Sequence, residues 1–242
     1  MKKPLLLTAV ATLGSAAVIA YVSLRPADAK GDDSEDFLPP SVFQAAGPNA
    51  LSIQSTVDAF RAALGNPNNG NAAGVLASGR REINWDGGGA DTTTAPVTPF
   101  DVFLNTRGAR FTTRGTGLSQ APPAGGPQGG LAVLFDNPTY GLIFSAFSPL
   151  RLFTPVGSRI TEGLFFVPGT NGGAPATVSG FGAVFTDVDQ PDGSGPGKKR
   201  GNRKASTLIQ YFGADGVRSL EGSQERPART GCMWRAQSTR GR

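Results

Sequence analysis

The chain has 242 residues, a formal net charge of +5, 38% hydrophobic positions, 15 Phe, one Cys and no His. Without His it cannot build a Ser-His-Asp or Cys-His nucleophile system or a His-based zinc site, and a single Cys excludes a Cys-rich zinc ribbon and an internal disulfide framework. The charge is no nucleic-acid signature either: residues 1–29 carry +2, residues 218–242 carry +4 and the body at 30–217 carries −1, whereas such recognition needs a basic surface on the folded body.

Lys2 and Lys3 precede an uncharged run over 4–24 that is rich in Leu, Ala, Val and Ile, and Ala27-Asp28-Ala29 follows as a small-x-small pattern. This is the three-part architecture of a secretory signal peptide, so it predicts a secreted protein cleaved after Ala29. An uncleaved anchor is the alternative, because about 20 apolar residues span a bilayer. Residues 30–51 read as a flexible leader. Residues 52–64 predict an amphipathic helix, with Ile53, Val57, Phe60 and Leu64 on one face, Ser52 as N-cap and Gly65 as the stop.

The segment Arg80-Arg81-Glu82-Ile83-Asn84-Trp85-Asp86 joins that helix to the rest of the chain. Trp85 flanked by Asn84 and Asp86 suits stacking on a sugar, with the polar neighbours bonding its hydroxyls. A large aromatic ring equally suits a structural plug, with Glu82 paired to Arg80 or Arg81. From about residue 100 the texture changes to short β-prone runs near 101–104, 109–113, 131–135, 142–147, 150–153, 159–167, 180–188 and 206–212, separated by Gly, Pro, Asn and Asp clusters. That spacing predicts a mainly β fold, an antiparallel sandwich or jelly roll with one N-terminal helix, as a single domain over 52–217. Phe181, Ala183 and Phe185 alternate onto one strand face, and Leu142-Ile143-Phe144 reads as a strand buried on both sides.

Asp187, Asp189 and Asp192 gather three carboxylates at a strand end, a set of hard oxygen ligands suited to Ca²⁺, although the spacing is not that of an EF-hand. A solvated acidic turn explains the same residues. Lys198, Lys199, Arg200, Arg203 and Lys204 follow as a basic loop, readable as a polyanion or cell-surface contact or as a solvated hairpin loop. It contains no aromatic residue on which bases would stack. After the Asp215-Gly216 turn, six Arg and the lone Cys232 occupy residues 218–242. This composition predicts a disordered basic tail or a reading-frame shift, the latter leaving the sheet incomplete at its C-terminal end.

Four segments are distinctive: Ser78-Gly79-Arg80-Arg81-Glu82-Ile83-Asn84-Trp85-Asp86-Gly87, Leu150-Arg151-Leu152-Phe153-Thr154-Pro155, Phe165-Phe166-Val167-Pro168-Gly169-Thr170 and Gly180-Phe181-Gly182-Ala183-Val184-Phe185-Thr186-Asp187-Val188-Asp189. Over residues 37–216 the chain resembles a family of uncharacterised secreted bacterial proteins with a lectin-like β-sandwich. The resemblance implies that fold, with further strands after the Asp-Gly turn, and carries over no particular activity. The expected function is that of an exported, non-catalytic module binding a glycan or cell-surface polymer, with Ca²⁺ as its candidate cofactor. A glycan-cleaving hydrolase working through Glu82 or Glu162 is the alternative, since such an enzyme needs two positioned carboxyl groups. A structural or truncated protein without a ligand is a third. Neither nucleic acid nor, after signal cleavage, a membrane is an expected partner.

Overall fold

The structure is a computed structural model that describes residues 16–22, 41–87, 89, 91–125, 129–148, 150–186, 207–212, 218–220 and 233–238. Its one long helix, α1 (Ala50–Leu64), is set by a capping box. The Asn49 side chain accepts from Ser52 N at 3.0 Å, and Ser52 Oγ in turn accepts from Asn49 N at 3.4 Å. The helix therefore starts two residues before the expected point, with Ser52 at its third position rather than as the cap. Gly65 ends it at φ +100°, its N–H closing onto Arg61 O and Ala62 O. Ile53, Val57 and Phe60 form the buried face, as the spacing predicts.

Among the described residues strands outnumber helices, and the named strands pair antiparallel, with one isolated parallel bridge between Asn68 and Arg80. One sheet runs β2 (Ser41–Gly47), β1 (Ala16–Val22), β7 (Gly180–Thr186). Ile53 and Val57 pack against Ala45 of β2, Val184 of β7 and Phe147, while Phe43 of β2 lies 5.9 Å from Phe60. This is why residues 41–47, expected as part of a flexible leader, are ordered instead: their alternating Phe43 and Ala45 meet the apolar face of α1. β1 lies within the predicted signal peptide.

A second sheet has the order β3 (Ala109–Thr113), β6 (Ile160–Phe165), β10 (Met233–Ser238), β8 (Thr207–Phe212), β9 (Arg218–Leu220). β9 and β10 fall in the arginine-rich tail, whose other residues lie outside the described ones. A two-stranded sheet pairs β4 (Gly117–Ala121) with β5 (Leu152–Val156). The expected strands at 109–113, 150–153, 159–167, 180–188 and 206–212 correspond to β3, β5, β6, β7 and β8, with β5 displaced by two to three residues.

Three other expected strands are helical turns. Residues 101–104 lead into α2 (Leu104–Arg107), closed by Gly108 in the left-handed region at φ +69°. Residues 131–135 contain α3 (Leu131–Leu134), where Leu134 N bonds Gly130 O at 2.9 Å. A short apolar run does not distinguish strand from helix by periodicity, and this one satisfies its backbone locally. Residues 142–147 begin inside α4 (Tyr140–Ile143). Asn137 Oδ1 accepts from Thr139 N at 3.1 Å and from Thr139 Oγ1 at 2.8 Å, a side-chain turn that starts the coil ahead of the apolar residues. Leu142, expected to be buried, is 87% exposed as a result.

Ile53→Ala removes a side chain of 0% exposure and should lower unfolding free energy by about 3 kcal/mol, whereas Leu51→Ala, 82% exposed on the same helix, should change it by less than about 0.5 kcal/mol. Urea denaturation followed by circular dichroism measures both.

Candidate functional site

The segment at 80–86 runs from the end of a tethered loop into the aromatic core. Asn69 N bonds Arg80 O at 2.8 Å and Arg80 N bonds Pro67 O at 3.0 Å, so the chain at 66–80 closes on itself. Gly79 makes this closure possible: its φ is +87°, and a Cβ there would run into Pro67 O and the Asn69 side chain.

Glu82 is bracketed by two guanidinium groups. Arg80 Nε reaches its Oε1 at 2.6 Å, and Arg61 Nη2 on α1 reaches its Oε2 at 2.8 Å. Burial alone would raise the Glu82 carboxyl, but the hydrogen bonds and charges of Arg80 and Arg61 hold it below the ordinary carboxylate range. Arg61 also bonds Asp58 at 3.1 Å, and its own protonation is strengthened by both carboxylates against the cost of burial. Both Glu82 oxygens are thus occupied, and the group is ionised. A general acid in glycoside hydrolysis needs the opposite, a carboxyl held protonated near neutral pH. Glu162, the other carboxylate considered for hydrolysis, lies on β6 opposite Thr112 of β3.

Trp85 is half-buried at the centre of an aromatic cluster. Its ring stacks on Phe153 of β5 at 4.1 Å between centroids and 3° between planes, and Phe103 and Phe111 meet it edge-on at 5.7 and 5.8 Å. Phe100, 2% exposed, meets Phe153 at 5.0 Å and completes the group. Gln120 of β4, 3% exposed, donates from Nε2 to Trp85 O at 2.5 Å. One ring face is therefore committed to the core, which is the plug role of the two roles expected for it. Asn84, next to it, is exposed and makes no hydrogen bond among the described residues.

Asp86 does different work from that expected of a ligand-binding group. Its Oδ1 accepts from Arg151 N at 2.9 Å, Leu150 N at 3.3 Å and Ser148 Oγ at 3.5 Å. The Arg151 side chain, 1% exposed, runs the other way, donating from Nη2 to Gly87 O at 2.6 Å and from Nη1 to Thr92 O at 3.3 Å. Burial lowers the Arg151 guanidinium, and the charges of Asp86 and Asp91 oppose that shift. Residues 86–87 and 148–151 thus clasp each other reciprocally. Sequence reasoning missed Arg151, since a single Arg before a strand carries no distinguishing signal.

Asp187, Asp189 and Asp192, and Lys198, Lys199, Arg200, Arg203 and Lys204, lie outside the described residues. Among the described residues no group of three or more His, Cys, Asp and Glu side chains is placed to hold a metal ion, and no helix is long and apolar enough to cross a membrane. Comparison with protein-family models, curated proteins and solved structures finds no match to the chain.

Three substitutions at two positions test this arrangement. Glu82→Gln should destabilise by about 1–2 kcal/mol at pH 7. Because the folded-state pKa is depressed, the stability Glu82 confers is present above its unfolded value of about 4.3 and is lost as pH falls through the folded value. The gap between wild type and Glu82→Gln in urea titrations should therefore narrow as pH is lowered below about 4. Asp86→Ala leaves two backbone N–H groups without their acceptor and should cost about 2 kcal/mol, with Asp86→Asn, which keeps an acceptor oxygen, costing clearly less by the same measurement.

Proposed function

We propose that the protein is an exported, non-catalytic module of the lectin-like β-sandwich type that binds a glycan or cell-surface polymer. The observation that carries this reading is the state of the 80–86 segment. It is fastened by the Glu82 ion pairs on one side and the Asp86–Arg151 clasp on the other, and between these fixed points it presents the free carboxamide of Asn84 beside the half-buried ring of Trp85. An exposed amide one position from a half-buried aromatic ring, on a segment fastened at both ends before the ligand arrives, favours sugar binding at low entropic cost. The signal-peptide pattern supports export, and the small antiparallel sheets support the sandwich. The resemblance over residues 37–216 points to the same class. The occupied, ionised state of Glu82 weighs against the hydrolase. Ca²⁺ held by Asp187, Asp189 and Asp192 is the proposed cofactor.

Calorimetry of the full chain against a panel of neutral and acidic polysaccharides, with and without EDTA, tests this. Binding should appear for at least one polymer, Asn84→Ala should weaken it about tenfold while leaving the denaturation midpoint unchanged, and EDTA should reduce it. Absence of binding to every polymer by the folded protein would overturn the reading, and release of reducing sugar would favour the hydrolase.

A further inference from the structure

The loop at 71–74 is gripped by two guanidinium groups that have no acidic partner among the described residues. Arg81 Nη2 donates to Ala72 O at 2.8 Å and to Gly74 O at 3.1 Å. Arg107, the last residue of α2, donates from Nη1 to Asn71 Oδ1 and from Nε to the Glu82 backbone carbonyl at 2.6 Å. Every one of these acceptors is uncharged. The nearby carboxylates are already taken, Glu82 by Arg61 and Arg80 and Asp58 by Arg61. Arg81 and Arg107 share in none of these ion pairs, and the charge they carry beside the loop is unbalanced by them. Burial lowers the Arg81 guanidinium first, and the like charge of Arg107 lowers it further, with no carboxylate opposing either.

The donors left over point to what would balance this charge. Arg81 Nη1 and Arg107 Nη2 bond no acceptor among the described residues, both side chains are only half-buried, and Arg81 Nε is buried without a partner there. Asn71, Ala72 and Ala73 are exposed and uncharged, so nothing in the loop repels an approaching anion. Gly74 N bonds Pro168 O at 2.8 Å and fixes the loop in place. Guanidinium donors held at fixed positions match the oxygens of a carboxylate or sulfate, and an oxyanion there would relieve the repulsion between the two side chains.

We propose that Arg81 and Arg107 form an oxyanion-binding pair that selects acidic glycans through their carboxylate or sulfate groups. The glycan part of this proposal rests on the binding function proposed above; the oxyanion part does not. The test is calorimetry of the full chain with polygalacturonate, dextran sulfate, neutral dextran and sodium sulfate, repeated with Arg107→Lys and Arg81→Lys. Each variant keeps the charge and loses the planar fork.

The expected result is tighter binding of the two acidic polymers than of neutral dextran, weakened about tenfold in either variant, with saturable heat from sulfate in the wild type. Saturation separates site binding from the general stabilising action of sulfate, and the wild-type measurement stands even if a variant fails to fold. Binding of acidic polymers that neither folded variant weakens would overturn the pair and point to the basic loop at 198–204. Equal binding of neutral and acidic polymers would overturn the pair and leave the glycan function standing. Saturable sulfate binding with no glycan bound would uphold the pair and overturn the glycan function. No binding of any probe would overturn both.

Discussion

The stacking of Trp85 on Phe153 holds together parts of the chain that are far apart in sequence. The two rings lie parallel at 4.1 Å, and the edges of Phe103 and Phe111 close around the indole. Through these contacts the irregular segment at 80–86 meets β3, β5 and the turn before α2, while Gln120 ties its backbone to β4. The short strands here cannot bury enough apolar surface alone, because a two-stranded ribbon is marginal in water. Offset and edge-on aromatic contacts supply the missing burial, about 0.5–1.5 kcal/mol per pair beyond the area term.

The charged residues beside Trp85 serve the same end. Glu82 fastens the segment to α1 through Arg61, and Asp86 fastens it to the residues before β5. Both carboxylates are thus engaged in holding the chain in place. Among the described residues of this segment and its neighbours, the carboxamide of Asn84 and the outer nitrogens of Arg81 and Arg107 make no hydrogen bond, offering donors and one acceptor oxygen.

The sequence made some of this legible. α1 was visible because Ile53, Val57 and Phe60 repeat at helical spacing, though its cap was misplaced: Asn49 and Ser52 are both good caps, and their mutual bond decides between them. β3, β6, β7 and β8 were visible from β-prone runs between turn residues. α3 and α4 were not, because four apolar residues fit either periodicity and a local turn settled the matter. β2 was hidden inside a polar leader and depends on α1 to cover Phe43 and Ala45. β4 was hidden as well, since Gly117-Leu118-Ser119-Gln120-Ala121 has neither alternation nor β-branched residues. At the site, Trp85 and Glu82 stood out by residue type, but pairing partners such as Arg61, Phe153 and Arg151 lie 21 to 68 positions away and left no local pattern.

β4 has a consequence of its own. All five of its residues are buried, and its backbone is bonded on both sides, to β5 on one and to residues 94–97 on the other. Val97 and Leu118 exchange both N–H···O bonds, at 3.1 and 2.9 Å, and Ser119 Oγ donates to Thr94 O at 2.7 Å. Residues 94–97 form no strand, yet they close what would be an open edge of the two-stranded sheet. The amide protons of Leu118 and Gln120 face this cover and reach water when residues 94–97 detach, whereas the alternate amides of β4 face β5. An irregular segment thus guards a wholly buried strand, and the exchange lifetime of the Leu118 amide would report how firmly residues 94–97 are held.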